Sequence, residues 1–162
     1  GNRDFRGGER FADVTGVALL GDSALVDLHG TPTLLLHGDT LCTDDVAYQK
    51  IRAQLRDPAW QAAFLAQPLA ARRAFAENAR AQSRAHTQSM DMQIMDVAPA
   101  SVEAAFREHG VSRMIHGHTH RPAMHAGEID GRRCERWVLA DWRDAGEALV
   151  VDNAAWRREV LR

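Results

Sequence analysis

The sequence predicts an α/β fold, layered from sheet and helix, with a helical insert between two sheet-forming regions. Three observations predict it. Short aliphatic runs bounded by Gly, Pro and Asp gather toward both ends of the chain. A long stretch between them carries apolar residues at helical spacing. Three Gly-containing turns carry Asn or His at their tips.

In chain order, Val17-Ala-Leu-Leu20, Ala24-Leu-Val-Asp-Leu28 and Thr33-Leu-Leu-Leu36 read as strands, with Gly30-Thr31-Pro32 marking a hairpin between the last two. Helix is expected from about Asp44 to Ser83, where Tyr48, Ile51 and Leu55, then Trp60 with Phe64, then Ala71 with Phe75 fall on common faces. Pro58 and Pro68 lack an N–H and clash with the preceding turn, so they should break it into two or three pieces. Ser101 is the expected N-cap of a helix over Val102–His109, and Gly110 its stop. Strands return at Met114–His116, Arg136–Ala140 and Ala148–Val151. Residues 1–162 then form one domain, interrupted by a helical cap at about 44–90, with neither internal repeats nor a low-complexity linker.

The chain has 162 residues, 45% apolar and 26% charged, enough to bury a core and outside the disordered, collagen-like and disulfide-stapled classes. No run approaches the ~18 consecutive apolar residues of a membrane-spanning helix. Cys42 and Cys134 make no disulfide framework and fit a reducing compartment. The chain begins Gly1-Asn2-Arg3-Asp4, without Met or leader, and is expected to be a fragment. Its formal net charge is -2, but residues 46–90 hold seven basic side chains against Asp57 and Glu77, a local +5. That asymmetry suggests an anionic partner for this part of the surface.

The chemistry concentrates in Gly1-Asn2-Arg3-Asp4, His37-Gly38-Asp39 and Gly117-His118-Thr119-His120. In α/β sheets ligands collect beyond the carboxyl ends of strands, where loops converge. Imidazole suits transition metals, and Asn and Asp supply oxygen donors. His118 and His120 are two apart, so in extended backbone both rings would point the same way. They could then serve two ions about 3.5–4 Å apart, the spacing of two-metal phosphoester cleavage. A lone His at a strand end is more often structural. His29, His86, His109 and His125 are therefore given no role, and His116 is read as a core or supporting residue.

Four stretches together, Gly1-Asn-Arg-Asp-Phe5, His37-Gly-Asp-Thr-Leu-Cys-Thr-Asp-Asp45 with Tyr48-Gln49, Ile94-Met-Asp-Val97 and Ile115-His-Gly-His-Thr-His-Arg-Pro122, carry a resemblance. From Gly1 to about Trp142 the chain resembles the UDP-2,3-diacylglucosamine pyrophosphohydrolases of lipid A biosynthesis, within the calcineurin-like metallophosphoesterases. The last 20 residues carry no such signal. The resemblance implies an incomplete layered metallophosphoesterase β-sandwich flanked by helices. It implies two Mn²⁺ ions, with Asn2, His37 and His118 matching ligands of one and His120 a ligand of the other. It assigns catalysis to Arg3 and His118, and substrate binding to Asn2, Arg3, Asp45, Tyr48, Arg80, Ser83, Thr87 and His118.

The implied reaction is hydrolysis of an acylated UDP-sugar to UMP and 2,3-diacylglucosamine 1-phosphate. The implied setting is cytoplasmic, at the anionic surface of the inner membrane. The family's remaining ligands come from an amino-terminal Asp-x-His strand and a Gly-Asp loop, motifs absent from these residues, so the chain alone is expected to be inactive. Met90 stands where many members carry Lys.

Arg3 adds a chemical argument. Many relatives in the superfamily have His there, able to protonate a departing alkoxide. A guanidinium stays charged, with a pKa above ~12, and cannot. It can neutralise phosphate bidentately. A phosphate leaving group, whose second pKa is about 6, needs no comparable proton. Arg3 thus favours pyrophosphate over alkyl phosphodiester cleavage; the competing reading pairs it structurally with Asp4.

Arg73, Arg80 and Arg84 share a helical face with Glu77, for which a solvated surface is the usual explanation. Beside the apolar stripe of Trp60, Phe64, Leu65, Leu69 and Phe75, the same face suits acyl chains with phosphate, or an anionic membrane. Two other classes compete: another nucleotide or nucleic-acid phosphodiesterase, and a non-catalytic phosphoesterase-like binding module. A single Tyr, with few aromatics among the basic residues, argues against nucleic acid.

Overall fold

The computed structural model describes the backbone of residues 9–89, 96–142, 145–153 and 155–161. Asn2, Arg3, Met90 and Ile94 lie outside them. The chain divides into two units, Gly1–Leu41 with Val97–Arg162, and Cys42–Asp96.

The first unit opens with α1 (Glu9–Thr15), followed by β1 (Ser23–Leu28) and β2 (Thr31–Leu36). The hairpin turn is His29-Gly30, both at positive φ (54° and 79°), the geometry that matches the right-handed twist of paired strands. The Asp27 carboxylate accepts from the Gly30 N–H at 2.8 Å. Pro32 is tolerated because β2 meets its other neighbour only from Thr33 onward. Residues 17–20, expected as a strand, do not form one: among the described residues no strand pairs with them, and Val17, Leu19 and Leu20 are exposed.

Helix α5 (Pro99–His109) leads into β3 (Arg113–His116), β4 (Ala123–Ile129) and β5 (Arg132–Val138). The expected cap at Ser101 is corrected: the helix starts three residues earlier, from Ala98 in extended conformation, with Pro99 in the first turn. A proline there forfeits only an N–H that would have no helical partner. Gly110 ends the helix at φ 65°, as expected. The strand placed at Arg136–Ala140 runs instead over Arg132–Val138, because Asp130-Gly131, both at positive φ, folds a β4–β5 hairpin.

The five-stranded sheet has the order β1-β2-β3-β5-β4. Pairs β2–β3 and β3–β5 are parallel, with Leu36 opposite His116 and His116 opposite Val138. Its core is Leu34, Leu41, Phe106, Val111, Met114 and Cys134, so one sheet face is closed by α5. The last 20 residues, which carry none of the resemblance, hold the strand expected at Ala148–Val151: β6 (Gly146–Val151) pairs with the unexpected β7 (Trp156–Leu161) in a second sheet. Trp156 lies 5.3 Å from Trp137, ring to ring, with the Arg113 guanidinium 4.8 Å from its centroid. Arg158 donates to the carbonyls of Ala123 and Val138 at 3.0 and 2.7 Å. Helix, five-stranded sheet and two-stranded ribbon thus form three layers, a mixed α/β arrangement compatible with part of the expected fold.

The second unit is helical. Its α2 (Val46–Arg56), α3 (Pro58–Leu65) and α4 (Leu69–Ser89) are separated at Pro58 and Pro68, with α4 running six residues past the expected end. Asp57 caps α3 by accepting from the Ala59 N–H at 2.9 Å. Trp60 and Phe64 stack with centroids 5.0 Å apart, and Phe75 closes the cluster at 5.7 and 5.1 Å from them.

Candidate functional site

Because β2, β3 and β5 are parallel neighbours, their carboxyl ends open on one side of the sheet. His37 follows β2, residues 117–120 follow β3, and Asp141 lies three residues beyond β5. Hydrogen bonds continue past the strands: the Gly117 N–H donates to the His37 carbonyl at 2.9 Å and the Leu139 N–H to the His116 carbonyl at 2.7 Å. The imidazoles of His37 and His118 consequently meet, centroids 5.0 Å apart and planes inclined by 70°.

The expectation that His118 and His120 share one side through extended backbone is corrected. They sit at φ 66° and 53°, in the left-handed region, and the chain turns through residues 117–120. Such backbone costs of order 1–3 kcal/mol per residue and persists where its surroundings over-determine it. His118 faces His37, whereas His120 places Nδ1 3.4 Å from the Asp141 carboxylate.

Across the turn, Gly38 adopts φ 108°; a Cβ there would lie 2.7 Å from His116 Nδ1 and 3.1 Å from the Gly117 carbonyl oxygen. The two loops pack that closely because Gly38 has no side chain. His116 is 1% exposed. Its Nδ1 donates to the Gly117 carbonyl at 2.9 Å, and its Nε2 accepts from the Arg136 guanidinium at 2.9 Å. A carbonyl can only accept and a guanidinium can only donate, so these partners assign the neutral Nδ1–H tautomer.

Two adjacent imidazoles suit a divalent transition ion but do not complete its coordination. Among the described residues no three His, Cys, Asp or Glu side chains converge on a common point. The described residues alone therefore do not fit a closed metal centre, and Asn2, expected as a further ligand, lies outside them.

Within the helical unit, Asp45 is 6% exposed and caps α2, its carboxylate accepting from the Tyr48 N–H at 2.9 Å. The two expected substrate contacts are thus joined by a capping bond. Arg80, Ser83 and Thr87 fall at positions i, i+3 and i+7 of α4, one face of the helix, with Arg80 and Ser83 exposed. The Thr87 side chain lies outside the description. Sequence reasoning missed Arg136 and Asp141. The signal for Asp141 was present, since it follows the apolar run Trp137-Val-Leu-Ala140 as His37 follows β2.

No family model matches the chain. It is 52% identical over 168 aligned positions to a protein of Stenotrophomonas maltophilia (strain K279a) named UDP-2,3-diacylglucosamine hydrolase, covering 99% of this chain and 68% of the relative. Relatives of the same name in Xanthomonas campestris pv. campestris (strain ATCC 33913) and Xanthomonas axonopodis pv. citri (strain 306) are each 54% identical over 159 positions, covering 94% of this chain and 64% of theirs. The chain spans about two thirds of the length of these curated relatives. More than half of the aligned residues are identical in alignments that take in nearly all of this chain: it belongs to the UDP-2,3-diacylglucosamine hydrolase family.

Proposed function

We propose that this chain belongs to a metal-dependent hydrolase that cleaves the pyrophosphate bond of UDP-2,3-diacylglucosamine, yielding UMP and 2,3-diacylglucosamine 1-phosphate for lipid A biosynthesis. The observation that carries the reading is the meeting of His37 and His118 at the ends of neighbouring parallel strands, in a chain so similar to proteins of that name. On this reading the first unit is part of a calcineurin-like metallophosphoesterase domain and the segment at about 44–90 its helical cap.

His37, His118 and Asn2 would ligate one Mn²⁺ and His120 another, with further donors needed for both. When bound, such ions lower the pKa of water and neutralise phosphoryl oxygens. Arg3 offsets charge on the phosphate that departs, and it needs no proton to do so. Asp45, Tyr48, Arg80, Ser83 and Thr87 hold the acylated glucosamine phosphate. The exposed Arg80 and Arg84, with exposed Leu65, Leu69 and Phe75 in the same unit, support attachment to the anionic cytoplasmic face of the inner membrane.

The test is UMP release from UDP-2,3-diacylglucosamine by the protein expressed from its full gene, with Mn²⁺ and after chelation. His37→Ala and His118→Ala should abolish turnover. Hydrolysis that survives chelation, or survives loss of both imidazoles, overturns the reading.

A further inference from the structure

We propose that His116, held by Arg136, is a positioning residue that sets the peptide from which His118 hangs. His116 is 1% exposed at the end of β3, among the largest fully buried side chains of the described residues. A buried imidazole with no partner for its nitrogens would be costly, and both nitrogens are engaged.

The Gly117 carbonyl receives two donors, His116 Nδ1 at 2.9 Å and the Thr119 N–H at 2.8 Å. The N–H of the same residue is spent on the His37 carbonyl at 2.9 Å. Gly117 is therefore fixed on both sides, and the Gly117–His118 peptide cannot rotate without breaking these bonds. That peptide enters His118 at φ 66° and aims its ring at His37. The ring of His116 also fills the space that a Cβ on Gly38 would need.

Arg136 supplies the remaining constraint. By donating to Nε2 it keeps the proton on Nδ1, where the Gly117 carbonyl requires it. A neutral residue able to accept at Nε2 alone would leave Gly117 with one donor fewer. His116 thus acts through His118, a supporting role of the kind that orients metal ligands elsewhere. The consequence for turnover rests on the function proposed above; the structural role does not.

The experiment separates the two nitrogens. Asn places its amide N–H near Nδ1, and Gln places its carbonyl oxygen near Nε2. In the wild-type chain, two-bond ¹H–¹⁵N imidazole spectra should give His116 as the Nδ1–H tautomer; the Nε2–H tautomer overturns the proposal. His116→Asn should leave the His37 and His118 ring resonances in place, while His116→Gln should move them. The reverse order, or no movement in either, overturns it.

Should His116→Gln fail to fold, Arg136→Met takes its place: it frees Nε2 and should mix the tautomers of His116 and shift the His118 resonances, and an unchanged spectrum overturns the proposal. In the full-length enzyme His116→Gln should lose about 10- to 100-fold more kcat than His116→Asn, with KM unchanged. The spectra require neither metal nor substrate. Agreement there with no turnover in any form would sink the proposed function and leave the positioning role standing.

Discussion

His37 and His118 lie in different halves of the chain, yet their rings meet edge to face with centroids 5.0 Å apart. The cause is the register of two parallel strands, which puts Leu36 opposite His116 and so brings the residues beyond both strand ends together. Burial of Leu34 and Met114, both 0% exposed, holds that register.

Close packing of the two loops predicts the effect of Gly38→Ala. The added methyl meets His116 Nδ1 at 2.7 Å, on a backbone at φ 108° that disfavours any side chain. Neither neighbour is a flexible side-chain end. Urea unfolding should show a loss of roughly 1–3 kcal/mol or more. A midpoint equal to wild type would mean that the loops part without cost.

Truncating the sheet core should be more damaging than truncating its edge. Leu34→Ala and Met114→Ala each remove a fully buried side chain facing α5 and should cost about 2–5 kcal/mol. Leu25 on the outer strand is 55% exposed, and Leu25→Ala should stay within about 1 kcal/mol of wild type. Denaturant titrations of the three variants decide the order.

The basic face of α4 predicts a substrate-dependent loss. Charged hydrogen bonds to phosphate contribute about 1.5–3 kcal/mol. Arg80→Ala should therefore lower kcat/KM on the lipid substrate by roughly ten- to over a hundredfold. Hydrolysis of a simple chromogenic phosphodiester should stay near its starting rate. Equal losses on both substrates would give Arg80 a structural role, and no loss on either would return it to solvated surface.

Acid should weaken the tie between α5 and the β4–β5 turn. Asp130 accepts from Arg107 at 2.8 and 3.1 Å, and this guanidinium holds the Asp130 carboxyl below its ordinary 3.8. A depressed carboxylate stabilises the fold fully above its unfolded value, and the effect fades as pH falls through the lower folded one. Arg107 is raised above its ordinary value, chiefly by its hydrogen bond to Asp130, so its share persists throughout neutral and acid solution while Asp130 is charged. Wild type should exceed Asp130→Asn slightly at pH 7, less so in high salt, with the gap closing below pH 3.8. A gap that is equally wide at pH 2 counts against the ion pair.

Titration of the isolated chain with Mn²⁺ should give weak uptake, because no three donors converge among the described residues. Tight, stoichiometric binding of two ions per chain, measured calorimetrically, would contradict this.

What could be read from the sequence by itself was whatever short-range chemistry decides. Pro58 and Pro68 split the helical segment wherever the chain carries them, because the missing N–H is a local fact. Gly110 ended α5 for the same reason, and the apolar runs before His37 and His118 marked two strand ends. Asp130-Gly131 was an equally local hairpin signal, but the alternation in Ala123–Ile129 was too poor to draw attention to it.

Tertiary structure decided everything that depends on which strand lies beside which. The exposure of Val17, Leu19 and Leu20 could not be foreseen, since their apolar run looks strand-like but finds no partner among the described residues. Only the β3–β5 pairing put Arg136 against His116, and only the packing of Gly38 on Gly117 turned His118 out of extended backbone toward His37. Local propensity acts over a few residues, whereas strand neighbours are chosen by burying Leu34, Met114 and Cys134 together against Phe106.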